Sequence, residues 1–187
     1  LRLSTTLFMR IASHPEDKRY VELRKKWQGN RVINTYIRIF ITQGLLAAVI
    51  SAAVVIVLVS PLQRPDVYTY IGVCIWLVGF LFETIGDWQL KRFAGDKKNK
   101  DELLTSGLWR YTRHPNYFGE ATMWWGIFII ALSTQFGWIG IISPVIITFL
   151  LLFVSGVPMA EKALSKRHGW KAYKARTSKF VPMPPRS

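Results

Sequence analysis

Residues 107–120 read Gly107-Leu-Trp-Arg-Tyr-Thr-Arg-His-Pro-Asn-Tyr-Phe-Gly-Glu120. This stretch gathers Arg110, Arg113, His114, Asn116, Tyr117 and Glu120, then enters residues 121–160, which carry no charge. Ionisable and hydrogen-bonding groups so close to hydrocarbon are costly without partners, which makes them candidates for a functional site. A polar mouth over an apolar floor suits an amphiphilic, lipid-like guest together with a polar cosubstrate. Asn116 and Glu120 are four apart and Tyr117 and Glu120 three apart, so each pair shares a helix face. Glu83, Asp87 and Lys91 recur at the same four-residue step.

These groups must be positioned by membrane helices. Residues 39–63, 67–82 and 121–160 are free of charge, and a spanning helix needs roughly 20 apolar residues. The expected fold is all-α: a polytopic transmembrane bundle with about four spans, near 38–60, 67–87, 115–134 and 139–160. It forms a single membrane domain over 1–187. Residues 133–137 turn the last two spans into a hairpin, Ser143-Pro144 suits an early helical turn, and Gly156 and Pro158 should kink the end. The chain begins at Leu1 rather than Met, so further N-terminal spans are expected, with 1–12 as the end of one.

The net charge is +14, yet its distribution is topogenic rather than suited to nucleic acid. Nine Lys/Arg precede the first span, seven lie within 83–120 and eight follow residue 160, whereas the linker between spans one and two holds only Arg64. By the positive-inside rule the N-terminal segment, the middle loop and the tail are cytoplasmic. Span lengths then place Glu83, Asp87, Glu120 and Glu161 at one membrane level, near Lys91, Arg110, Arg113 and His114. The convergence predicts a polar cavity open to the cytoplasm.

Each group also has a plain structural use. Arg110 and Arg113 can snorkel to headgroups, His114 can orient a helix end, Glu120 can pair with an arginine, and Glu83 can mark the helix meeting water. Trp109, Trp124, Trp125, Trp138 and Trp170 fit an interfacial belt. There is no G-x-G-x-x-G, Walker A or H-E-x-x-H. His14, His114 and His168 are scattered and Cys74 is alone, so no metal site is expected.

The ordered motifs resemble the steroid 5-alpha-reductase family, in its bacterial-type branch of small membrane proteins. The resemblance rests on five blocks: residues 16–20; Gly79 to Phe93 with Glu83, Asp87 and Gln89; residues 107–120; Ser155-Gly-Val-Pro158 with Glu161-Lys162; and Trp170, Tyr173, Thr177, Phe180 and Pro182. It implies an NADPH-dependent reductase of a carbon–carbon double bond in a steroid, sterol, polyprenol or related lipid. Asp87, Asn116 and Tyr117 would contact the cofactor, with Lys91 and His114 beside them. Glu161, Trp170 and Tyr173 would help enclose it. Arg110 and Arg113 would meet its phosphates, because a guanidinium fork matches phosphate oxygens. Glu120, with Tyr117, would act on the substrate's polar end, polarising a conjugated carbonyl and supplying a proton. Steroid reductases carry an arginine near the end of the final span, and residues 155–160 hold none.

The alternative is an S-adenosylmethionine-dependent methyltransferase. Isoprenylcysteine carboxyl methyltransferases and phospholipid methyltransferases have a related helical architecture. They share an Arg-His-Pro-x-Tyr-x-Gly core, matched by Arg113, His114, Pro115, Tyr117 and Gly119, and a Glu-rich segment matched at Glu161 and Leu164. A non-enzymatic membrane protein is the third reading.

Overall fold

A computed structural model describes residues 29–61, 64–99 and 101–186. The motif block at 16–20 and the expected span end at 1–12 lie outside them. The described residues are mostly helical, and their one β-pairing is an isolated bridge between Thr112 and Ser178.

The chain divides into two compact units, 1–47 and 48–187. In the first, α1 (Arg31–Thr35) is capped by Asn30, whose Oδ1 accepts from Val32 N at 2.9 Å and Ile33 N at 3.3 Å. A wider π-type turn, Tyr36–Ile41, leads into α2 (Thr42–Ile50). The apolar helix Val32–Ile50 is long enough to cross a bilayer. The apolar run 39–63 is thus divided at Ser51, after which α3 (Ala52–Val59) begins.

In the second unit, α4 (Val67–Gly95) and α5 (Pro115–Ala131) make the most extensive helix pair. The final apolar segment, Gly137–Leu164, contains α6 (Ile142–Phe149) and α7 (Val157–Leu164), and α8 (Trp170–Arg176) follows in the tail. Ser155 and Gly156 separate α6 and its π-type extension from α7, with Pro158 in the first turn of α7. Three described helices are long and apolar enough to span a membrane, which supports an integral membrane protein. At 1.5 Å per residue, α4 extends roughly 44 Å, more than a hydrocarbon core of roughly 30 Å. A helix of that length tilts or extends past the hydrocarbon at one end.

Glycine makes the α4–α5 contact possible. Gly72, Gly79 and Gly86 are the buried residues of α4. A Cβ on Gly79 would lie 2.6 Å from Gly119 O, and one on Gly72 would lie 2.6 Å from Gly126 O. The two backbones touch, as small residues allow where helices pack by van der Waals contact in lipid. Both ends of this pair are fastened. Asp66 caps α4 in a reciprocal box with Thr69, and its carboxylate also accepts Ser133 Oγ at 2.7 Å from the hairpin turn. The hydrogen bond from Ser133 holds the Asp66 carboxyl below its ordinary range. At the other end, Trp109 Nε1 donates to Gly86 O at 3.2 Å and Leu108 N to Gln89 Oε1 at 3.0 Å. The short α3 joins the bundle through Ala53, whose N–H donates to Ser143 Oγ at 3.0 Å.

Adding one methyl group to this seam forces the backbones apart. Gly119→Ala and Gly126→Ala should each lower unfolding stability in detergent by about 1–3 kcal/mol. Gly95→Ala, which meets no atom within 4 Å, should leave it unchanged. Equal melting curves for all three would contradict the packing.

Candidate functional site

The glycine seam decides which side chains meet. A Cβ on Gly86 would sit 3.2 Å from Asn116 N and from Pro115 Cγ, so Asp87 lies beside the first turn of α5. Asn116 Nδ2 donates to Asp87 Oδ1 at 3.2 Å. With Nδ2 given to Asp87, the amide oxygen is left to face elsewhere. Asn116 Oδ1 is left buried with no partner, as is Thr84 Oγ1. Buried unsatisfied polar atoms are uncommon and call for an explanation. One turn further along α5, Glu120 is half-buried, and the charges of Glu83 and Asp87 act on it.

A second cluster forms around Arg113. Proline at the first position of α5 disfavours helical backbone at the residue before it, and His114 has φ −141 and ψ 63. The chain entering α5 thereby meets the tail. Arg113 is 4 % exposed. Its Nε and Nη2 donate to Glu161 Oε1 at 2.8 and 2.6 Å. Its Nη1 donates to the carbonyls of Lys174 and Thr177, and its guanidinium lies 5.7 Å from the Trp170 ring centroid. The clasp continues through the main chain, with Arg113 N donating to Ser178 O at 2.9 Å and Thr112 Oγ1 to Phe180 O at 2.8 Å. Tyr173 Oη donates to Trp109 O at 2.6 Å. Burial pushes the Tyr173 phenol upward, and Arg113 opposes that in part.

His114 belongs to this second cluster. It is 2 % exposed, stacks on Tyr117 at 5.5 Å and 14°, and places Nε2 3.6 Å from Glu161 Oε1. That distance is too long for a hydrogen bond. Burial pushes its imidazole down to about 4, with Arg113 and Lys179 adding to the shift and Glu161 opposing it. His114 is therefore neutral at neutral pH.

The structure thus brings Asp87, Asn116 and Glu120 together, and Arg113, His114, Tyr117, Glu161, Trp170 and Tyr173 together. Lys91 and Arg110 are exposed. The expected cytoplasmic cavity around the carboxylates is not seen. A cavity of about 640 Å³ is instead lined by Arg110, His168, Tyr173 and Arg176 on the tail side, and one of about 580 Å³ lies behind the tail. Asp87, Asn116 and Glu120 line neither of these two. Sequence reasoning also missed Thr84 and the backbone acceptors for Arg113. The recurrence of glycine at 72, 79 and 86, opposite 119 and 126, was the available signal for the seam.

The family described as "Protein of unknown function (DUF1295)" matches residues 1–177. "Uncharacterized protein C9.08c" of Schizosaccharomyces pombe is 28% identical over 116 residues, covering 54% of this chain and 37% of that protein. Bovine 3-oxo-5-alpha-steroid 4-dehydrogenase 1 is 30% identical over 82 residues, covering 44% of this chain and 30% of its own length. The latter match supports the relationship to steroid 5-alpha-reductases that the motifs carry. No solved structure matches the chain.

Two outcomes test the clasp. Glu161→Gln should destabilise the fold by about 3–5 kcal/mol, because it leaves Arg113 buried without its counter-ion. Limited proteolysis should then cut within 165–186 well before it cuts α4. The His114 imidazole binds a proton more readily unfolded than folded, so its contribution to stability is lost as pH falls from 6.5 towards about 4. His114→Gln should flatten that part of the pH–stability profile, and an unchanged profile would place the acid sensitivity elsewhere.

Proposed function

We propose that this chain, which belongs to the family of proteins of unknown function termed DUF1295, is an integral membrane reductase. On this reading it uses NADPH to saturate a carbon–carbon double bond in a lipid-like substrate. The carrying observation is the buried Asn116 Oδ1, unpartnered while Asn116 Nδ2 is held by Asp87. An acceptor fixed in this way fits an N–H donor such as a carboxamide, which the nicotinamide ring carries. The match to a bovine steroid dehydrogenase over 82 residues supports the reaction class.

NADPH, when bound, supplies the hydride. The chain's own residues would do the rest. Asp87 orients Asn116, Asn116 Oδ1 and Thr84 Oγ1 offer hydrogen bonds, and the backbone contacts of α4 and α5 hold these groups on rigid elements. Glu120 would hold a proton at its carboxyl beside the substrate's polar end and pass it on as the double bond is reduced. Tyr117 and His114 stack beside the Arg113 clasp. Arg113 is committed to Glu161 and to tail carbonyls, so cofactor phosphates fall to Arg110, which lines an open cavity with Arg176. In the proposed orientation the α4 C-terminus, the 96–114 loop and the tail face the cytoplasm, as their basic residues require.

The assembly of Arg113, His114 and Glu161 favours a second reading, because these residues also match the methyltransferase core. Titrating the full-length protein in detergent separates the two. NADPH should quench tryptophan emission and S-adenosylmethionine should leave it unchanged; the reverse would establish methyl transfer in its place. Asn116→Leu should weaken NADPH binding about tenfold. Glu120→Gln should keep NADPH affinity within about twofold while slowing lipid-dependent NADPH oxidation roughly a hundredfold or more. Unchanged turnover would remove Glu120 from the mechanism.

A further inference from the structure

The cavity of about 580 Å³ behind the tail is lined by Arg113, Lys174, Arg176, Lys179 and Arg186, and by no Asp or Glu. Glu161 takes Arg113. Among the described residues, no ion pair is found for the other four. Like charges gathered around one concavity repel unless an anion sits between them.

The cations stand on a fixed frame. Arg113 N donates to Ser178 O at 2.9 Å, Met183 N to Tyr111 O at 3.0 Å, and Arg186 N to Arg176 O at 2.9 Å. Two bridges thus tie the tail to the loop before α5, and the third folds the tail onto itself. These hydrogen bonds fix the backbone that carries the cations, so less conformational entropy is lost on binding.

The surroundings say which anion. Lys179 Nζ lies 5.9 Å from the centroid of Phe153. Phe153 belongs to the apolar segment Gly137–Leu164, lies just before its break at Ser155 and is 62 % exposed. Val181 and Met183, on either side of the tail's return, are about half exposed. Ammonium and guanidinium groups bordered by outward apolar side chains, at the point where a spanning helix leaves the bilayer, match a phosphate above acyl chains. Basic residues near a membrane surface attract anionic lipid in just this way, and a lysine stem lying over an aromatic ring keeps its charge at headgroup level.

We propose that this cavity binds the phosphate-bearing headgroup of an anionic membrane lipid and so fastens the tail, with the Arg113–Glu161 clasp behind it, to the membrane surface. The proposal is independent of the reaction catalysed. It applies equally to a reductase and to a methyltransferase.

The test uses the full-length protein in detergent. Phosphatidylglycerol and phosphatidylcholine of matched chains are titrated separately, and bound lipid is counted by native mass spectrometry, with the thermal midpoint followed in parallel. Phosphatidylglycerol should form a defined adduct and raise the midpoint, and phosphatidylcholine should do neither. Combined Lys174→Gln, Lys179→Gln and Arg186→Gln should lower phosphatidylglycerol affinity at least about tenfold. A charge-matched control, Lys98→Gln with Lys166→Gln and Lys171→Gln, should leave that affinity within about twofold. Equal binding of the two lipids by the unaltered protein would overturn the proposal, whether or not the variants fold. So would an equal loss in both variants, which would indicate general charge attraction. Inorganic phosphate or glycerol phosphate raising the midpoint as far as the lipid would assign the cavity to a soluble anion and overturn the lipid assignment.

Discussion

Backbone contact between α4 and α5 is the constraint from which the rest of the second unit follows. Lipid tails are as apolar as leucine, so two membrane helices gain nothing by hiding greasy side chains from them. They associate through close packing, and Gly72, Gly79, Gly119 and Gly126 permit the closest packing available. Once the main chains touch, relative rotation and translation are both fixed. Asp87 must then meet Asn116, and Glu83 must lie alongside the turn that carries Glu120. Polar fasteners at each end keep that register: Asp66 with Ser133 at one, Trp109 and Gln89 at the other.

Arg113 performs a different task. Burying a guanidinium carries a desolvation penalty of several kcal/mol, offset only where geometry and hydrogen bonding are nearly complete. Here the group meets a carboxylate, two carbonyls and an indole face. Those partners come from α7 and from both ends of the tail helix α8, so one side chain ties the approach to α5 to two helices 48 to 64 residues further along. Burial explains the neutrality of His114, with Arg113 adding to it and Glu161 opposing it. The neutral imidazole keeps its face for Tyr117. The first turn of α5 thus presents Asn116 to α4 and Tyr117 to His114.

Much of this arrangement is legible in the sequence, and the limits have physical causes. Charge-free runs announce the apolar helices, Pro115 marks the start of α5, and Ser155-Gly156 marks the break before α7. The meeting of Asp87 with Asn116 follows from both lying where their helices leave the apolar region. The glycine seam is harder to see, because hydrophobic periodicity weighs large side chains and glycine contributes little to it. Converging charges suggested space around the carboxylates, whereas converging glycines draw the backbones together beside them. The acceptors of Arg113 were also out of reach. Two are main-chain carbonyls, and no residue type or spacing announces a carbonyl.

The proposed function rests on a rigid helix seam that would hold a carboxamide and a carboxyl where a nicotinamide and an unsaturated lipid meet. Its most direct test compares lipid extracts from a strain lacking this protein with extracts from its parent and from strains complemented with intact or Glu120→Gln protein. The account predicts one lipid class that gains a double bond in the deletion strain, recovers with the intact chain, and stays unsaturated with the variant. A lipid that lost a methyl group instead, or extracts with identical unsaturation, would contradict it.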